Sequence, residues 1–85
     1  MLSTQDCLDY CDLDDEEVTL VADHEHLPFP TAVQLACCLV QTEEGTQVIR
    51  CILEDCVCAA KREGRATATS TARRALAHFT AAHPG

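Results

Sequence analysis

Aromatic side chains are scarce in this sequence, which has no tryptophan, one tyrosine and two phenylalanines. Leu, Val, Ile, Ala and Cys must therefore fill its interior. In a chain of 85 residues such a core is marginal, because a domain of this size buries only about 60–65% of its extended-chain surface. We expect a single domain over residues 1–85. Domains this small often gain stability from disulfides, metals or self-association, so the residues are tested for each of these.

Long apolar runs are also missing. None approaches the roughly 18 uninterrupted apolar residues of a membrane span, so we expect no membrane partner. The acidic N-terminus lacks the basic and apolar regions of a secretory signal, which favours a cytoplasmic, reducing compartment. Seven cysteines are an odd number, and three glycines with three prolines are few for a loop-rich disulfide scaffold. We interpret most of the cysteines as reduced, buried hydrophobic residues.

Basic residues are absent from the first half of the chain. Residues 1–44 contain eleven acids and no Lys or Arg, whereas residues 45–85 contain three acids and six bases. The net charge of −8 is therefore −11 in one half and +3 in the other. Acidic chains repel phosphate backbones, so nucleic acid is not an expected partner. Oppositely charged halves can meet in a second copy, which predicts a homo-oligomer, with a dimer favoured, and leaves open a different protein partner.

Apolar spacing and helix-end signals predict five helical segments. In order, they are a short turn over 5–10 after Ser3 or Thr4, a helix from Asp12 or Asp14 to before Pro28, a helix over 29–41 that opens on Phe29 and Pro30, a helix from Thr42 or Thr46 to Glu63, and a helix that begins among Thr67, Thr69 and Ser70 and ends before Pro84.

The third predicted helix has only Gln34 and Gln41 as polar residues between Thr31 and Thr42. We therefore expect it to be central and buried nearly all round, with the acidic second helix outside. Residues 48–57 could instead form a strand, but the length without a breaker and the apolar spacing favour a helix. The sequence thus predicts an all-α fold, a compact bundle of four main helices plus a short N-terminal helical turn.

Spacing limits what the cysteines and histidines can bind. Residues two apart on a helix point to opposite sides, which separates His24 from His26 and Cys56 from Cys58. Cys7 and Cys11, four residues apart, do share a face. A metal or redox site would need them to be completed from another helix by Cys51, Cys56, His24 or His26. The weak metal candidates are therefore Cys7, Cys11, His24 and His26, and packing is the preferred interpretation of the two cysteines.

Neighbouring residues give the histidines simpler roles. His24 shares a stripe with Leu20 and Leu27, which favours a core or interface histidine, while His26 is expected to face solvent. Glu17 lies two turns before His24 and is interpreted only as a first-turn charge.

The sequence has no phosphate-binding glycine loop, zinc-protease helix motif or nucleophile elbow. We therefore predict no enzyme, no catalytic residues and no cofactor. Four arginines bracket the loop after Gly64 and could bind an anion or an acidic partner, although a solvated helix face also explains them. They are Arg62, Arg65, Arg73 and Arg74.

The predicted function is a non-enzymatic interaction or accessory module that self-associates. One alternative is a metal-binding or redox-responsive protein that uses Cys7 and Cys11. Another is a small-ligand pocket among Cys37, Cys56 and His24.

Overall fold

The computed structural model describes residues 4–84, which form five helices. These are α1 (Thr4–Tyr10), α2 (Asp15–Glu25), α3 (Phe29–Leu39), α4 (Glu43–Arg62) and α5 (Ala66–Ala82). Between residues 4 and 84 there is no strand, so the predicted all-α bundle is confirmed. The strand alternative for residues 48–57 is wrong, because these residues lie inside α4. Ser3, a predicted helix cap, lies outside the described residues.

Side-chain caps set the starts of two main helices. The Asp14 carboxylate accepts the backbone N–H of Glu16, and the Thr42 hydroxyl accepts the N–H of Gly45 at 3.0 Å. Pro30 lies in the first turn of α3, where its missing N–H has no helical partner to lose. These starts agree with the prediction. By contrast α5 has no side-chain cap and begins at Ala66, before the predicted threonines.

Two glycines are needed for backbone reasons. A Cβ at Gly45 would lie 2.0 Å from the carbonyl oxygen of Leu39, so only glycine lets the start of α4 approach the end of α3 this closely. Gly64 has φ +72 and open space around it, and it turns the chain between α4 and α5. The predicted stop after Glu63 is thus confirmed.

One cluster of buried aliphatic and small side chains joins all the helices. Phe79 of α5 is fully buried in it, beside residues of α1, α2, α3 and α4. The largest fully buried aliphatic side chains of the cluster are Leu8, Val18, Val21, Val33, Ile49 and Leu53. As the composition implies, aliphatic side chains rather than aromatic ones make up most of the core.

The predicted placement of α2 and α3 is wrong. In α3 only Ala32, Val33 and Ala36 are buried, and a stripe through Gln34 and Cys38 faces solvent. The acidic helix α2 packs against α3, α4 and α5, so it lies within the packing and not outside it. Apolar content alone does not say which side of a helix its neighbours cover.

Two apolar residues lie outside the packed faces of their helices. Val48 of α4 is 47% exposed, and Ala82 at the end of α5 is also exposed. None of the helices formed by residues 4–84 has both the length and the apolar character needed to cross a membrane.

Candidate functional site

Cys7 of α1 and Cys11, the residue that follows this helix, share one face, as their spacing predicts, and this face packs against α3. The N–H of Cys11 bonds the carbonyl oxygen of Cys7 at 3.1 Å, which continues the helical turn. The third thiol in this place is Cys37 of α3, which donates from Sγ to the carbonyl oxygen of Cys7 at 3.5 Å and lies beside the Cys11 side chain. Sequence spacing could not find Cys37, because only the packing of α1 on α3 brings it to this position.

The environment of this cluster keeps Cys37 protonated. Burial raises the pKa of its thiol from 9.0 to about 12, and the hydrogen bond to Cys11 and the charges on Cys11 and Cys7 act in the same direction. A thiol with so little thiolate is a poor nucleophile and a poor metal ligand at neutral pH. The cluster is therefore better suited to packing than to chemistry.

The cysteines expected to complete such a site lie elsewhere. Cys56 is half-buried with its Sγ 3.8 Å from the carbonyl oxygen of Leu20, and burial raises its pKa, helped by Asp55 and Asp23. Cys51 and Cys58 are exposed on α4. Cys37 thus contacts α1 and Cys56 contacts α2, and a small-ligand pocket among Cys37, Cys56 and His24 stays a prediction.

The two N-terminal histidines have different surroundings. His24 is partly exposed where α2 meets α4, with Nδ1 bonded to Glu25 and Nε2 3.5 Å from Asp55 Oδ2. His24 therefore belongs to a helix interface and not to the core. His26 is exposed, as predicted, and ends α2 in the left-handed conformation with φ 57.

Metal-ligating side chains do not converge in the part of the chain that the structure describes. No group of three or more His, Cys, Asp or Glu residues in 4–84 is arranged to hold a metal ion. Of the four metal candidates, the contacts bring Cys7 and Cys11 together and give His24 carboxylate partners on α2 and α4.

Glu17 is the ionisable residue whose importance the sequence interpretation missed. Its side chain is 1% exposed, and Oε1 accepts the backbone N–H of Asp14 at 2.9 Å. With the Asp14 carboxylate on the first turn, this contact forms a capping box. The Asp14-x-x-Glu17 spacing is the signal that would have predicted it.

His78 of α5 binds the other oxygen of the buried carboxylate. Its Nδ1 lies 2.6 Å from Glu17 Oε2, and this hydrogen bond, with the charge of Glu17, raises the pKa of His78. One carboxylate therefore caps α2 and joins it to α5.

His83, five residues beyond His78 and directly after α5, contacts the connection between α1 and α2. Its Nε2 lies 3.1 Å from the carbonyl oxygen of Asp12, and its ring stacks on Phe79 with centroids 4.6 Å apart. Arg50 of α4 donates from Nη2 to the carbonyl oxygen of His83 at 3.2 Å. Asp12 has φ 55, so this contact fixes a turn of unusual backbone conformation.

An acidic cleft of about 430 Å³ opens beside these contacts. His78 and Ala82 of α5 form one side of it, and four carboxylates form the other. These belong to Asp9, Asp12, Asp14 and Asp15. Glu43 and His83 line a neighbouring cleft, so the acidic cleft lies at the end of the molecule where α4 begins and α5 ends.

A basic cleft of about 410 Å³ lies where α4 ends and α5 begins. Lys61 and Arg73 line it together with Thr69 and Ser70. The predicted arginine patch is therefore divided. Arg73 lines this cleft, whereas the guanidinium groups of Arg65 and Arg74 pair with acids of the same chain.

Arg65 and Arg74 each form an ion pair within the chain. Arg65 Nη1 lies 3.3 Å from Glu63 Oε1, and Arg74 binds both carboxylate oxygens of Glu16, at 3.2 and 3.4 Å. Arg62 is exposed in the last turn of α4. Part of the complementarity between the two halves of the sequence is thus satisfied within one chain.

Comparisons with protein-family models, curated proteins and solved structures find no match to this chain. Its function is therefore inferred from the residues and contacts above.

Proposed function

We propose that this chain is a non-enzymatic cytoplasmic interaction or accessory module that presents charged helical surfaces and self-associates, as a homodimer.

The separation of charge along the α4–α5 pair carries this proposal. The acidic cleft lies where α4 begins and α5 ends, and the basic cleft lies where α4 ends and α5 begins. A surface with opposite charges at its two ends complements an inverted copy of itself, which steers and orients association.

The roles of the buried polar groups support the same proposal. Glu17, the buried charged residue of the core, caps α2 and binds His78, and Thr46 donates its hydroxyl to the carbonyl oxygen of Thr42 at 2.9 Å. Glu17 thus joins α2 to α5, and Thr46 bonds within the first turn of α4. The buried polar groups therefore have structural contacts that account for them, and the exposed charges are the better candidates for a function at the surface.

Light scattering on the purified chain at micromolar concentration tests the proposal. We expect a mass of about 18 kDa, twice the 9.2 kDa of one chain, at low ionic strength. Added salt is expected to lower this mass, because exposed complementary charges are screened over about 10 Å at 0.1 M salt. A mass of 9.2 kDa that salt does not change would refute self-association.

A thiol function is the second candidate, and one observation favours it. Cys37 joins Cys7 and Cys11 to give three neighbouring thiols where α1 packs on α3. Elemental analysis of untagged protein, together with thiol counting, separates the two candidates. Seven free thiols without bound metal would exclude the thiol function, while bound metal or missing thiols would favour it over the interaction module.

A further inference from the structure

Six exposed residues form a single line along the solvent-facing side of α4. We name this line the α4 seam, and it consists of Glu44, Val48, Cys51, Asp55, Cys58 and Arg62. At 100° per residue these six fall within an arc of about 80°. The arc lies opposite the buried side chains of Ile49, Leu53 and Ala60, so the seam points away from the core of its own chain.

The seam has the spacing of a helix-pairing surface. Successive members are four, three, four, three and four residues apart, which is the heptad pattern by which two helices pack along their length. Val48 is 47% exposed, and Cys51 and Cys58 are exposed thiols. Solvent-facing sides of helices usually carry polar and charged residues, so three apolar or weakly polar side chains on this line indicate a contact surface.

The charges at the two ends of α4 identify the orientation of the partner helix. α4 has Glu43 and Glu44 in its first turn and Lys61 and Arg62 in its last turn. A parallel second copy would place Glu44 against Glu44 and Arg62 against Arg62, which is repulsive. An antiparallel copy places Glu44 against Arg62 at both ends and opposes the two helix dipoles favourably.

The remaining seam residues fit the same register. With the two-fold axis at the level of Leu53, Val48 lies opposite Cys58 of the second copy, and Cys51 lies opposite its Asp55. The first pair is an apolar contact, and in the second a thiol S–H can donate to a carboxylate. The same operation brings the acidic-cleft end of one chain towards the basic-cleft end of the other.

We propose that the α4 seam is the surface through which two copies of this chain pair, antiparallel and related by a two-fold axis at the level of Leu53. This inference rests on the proposed self-association and names the surface that produces it.

Charge reversal at the ends of the seam tests the register. We expect Glu44→Lys and Arg62→Glu each to raise the dimer dissociation constant about 10-fold, because each replaces two attractive pairs with two repulsive ones. The double variant is expected to return to within about 3-fold of the wild type, since each pair is then restored with reversed sign. Val48→Glu should weaken the dimer more strongly than either, because it places a charge in the packed part of the seam.

Two matched controls separate the seam from general charge effects. Glu43→Lys removes an acid from the same first turn, rotated by 100° from Glu44, and Asp23→Lys reverses an exposed acid on α2, outside both clefts. Both are expected to change the dissociation constant less than about 2-fold in sedimentation equilibrium. Helical circular dichroism at 222 nm of every variant checks that the chain stays folded, which the exposure of the mutated residues favours.

The possible results distinguish this inference from the proposed function. A wild-type dimer whose dissociation constant is unaffected by all three seam substitutions would overturn the α4 seam and leave self-association standing. A dimer weakened by both single reversals but not restored by the double variant would overturn the antiparallel register. A wild type that stays monomeric at every concentration would overturn the proposed self-association, and the seam with it.

Discussion

Replacing Glu17 with alanine is expected to destabilise the fold far more than replacing its neighbour Glu16. The Glu17 carboxylate is 1% exposed, accepts the Asp14 N–H at 2.9 Å and binds His78 Nδ1 at 2.6 Å. Alanine leaves the Asp14 N–H without its side-chain partner and removes the link between α2 and α5. Glu16 lies in the same first turn but pairs with Arg74 at the surface, so it controls for the helix-dipole effect of an acid at this end of α2.

The structure sets the size of the expected effect. Loss of the capping contact costs about 1 kcal/mol, and loss of a hydrogen bond to a charged group costs about 1.5–3 kcal/mol when buried. For the hydrogen bond between Glu17 and His78 we take the lower limit of this range, because the His78 side chain is 54% exposed and water can replace part of the interaction. We therefore expect Glu17→Ala to lower the free energy of unfolding by about 2.5 kcal/mol. Glu17→Gln keeps an acceptor for Asp14 N–H and should lose about 1 kcal/mol, and Glu16→Ala should lose about 0.5 kcal/mol or less.

Urea unfolding followed by circular dichroism at 222 nm measures these differences. One fixed protein concentration is needed for all variants, since association with a second copy would also stabilise the fold. If Glu17→Ala and Glu16→Ala destabilise the protein equally, the buried carboxylate does not join α2 to α5 as described.

Three further results are expected from the same contacts. Glu17 raises the pKa of His78 above 6.5, so the contribution of His78 to stability is complete below about pH 6.5 and is lost as pH rises through the higher folded-state pKa. In urea unfolding, the difference in free energy of unfolding between the wild type and His78→Ala should therefore shrink as pH rises. A difference that grows with pH would contradict this pKa shift. Gly45→Ala should lower the free energy of unfolding by about 3 kcal/mol, because the added Cβ would lie 2.0 Å from the Leu39 backbone. Gly64→Ala is strained only by φ +72 and should lower it by about 1 kcal/mol. Equal losses in urea unfolding would refute the close approach of Gly45 to Leu39. The raised pKa of Cys37, about 12 instead of 9.0, lowers its thiolate fraction roughly 1000-fold. Alkylation of Cys37 at pH 8, followed by peptide mapping, should therefore be about 1000-fold slower in the native protein than in urea. Equal rates would show that the fold does not keep this thiol protonated.

The helix boundaries were predictable because local chemistry sets them. Asp14 and Thr42 are cap residues followed by helix formers, and Gly64 follows two cations in a last turn. Each signal depends on residues a few positions apart, so the chain carries it without knowledge of the tertiary fold. The start of α5 was less predictable because Arg65 supplies no side-chain cap there.

The packing and the candidate site were less predictable, because both depend on contacts between distant residues. Cys37 lies 30 residues from Cys7, and His78 lies 61 residues from Glu17. The apolar composition of α3 does not say that Cys38 faces solvent, and the helical spacing of α4 does not say that Val48 lies beyond the packed face. Glu17 is a different case, since its capping-box spacing from Asp14 is a local signal that the sequence itself carries.

The claim that this charge-divided helical bundle pairs with a second copy of itself is tested most directly by mixing isotope-labelled and unlabelled chains. Native mass spectrometry of the equilibrated mixture should show labelled, mixed and unlabelled dimers in a ratio of about 1:2:1, as expected for a closed two-fold assembly. A spectrum that contains only single chains of 9.2 kDa and their labelled counterparts, at concentrations up to the millimolar range, would contradict the claim.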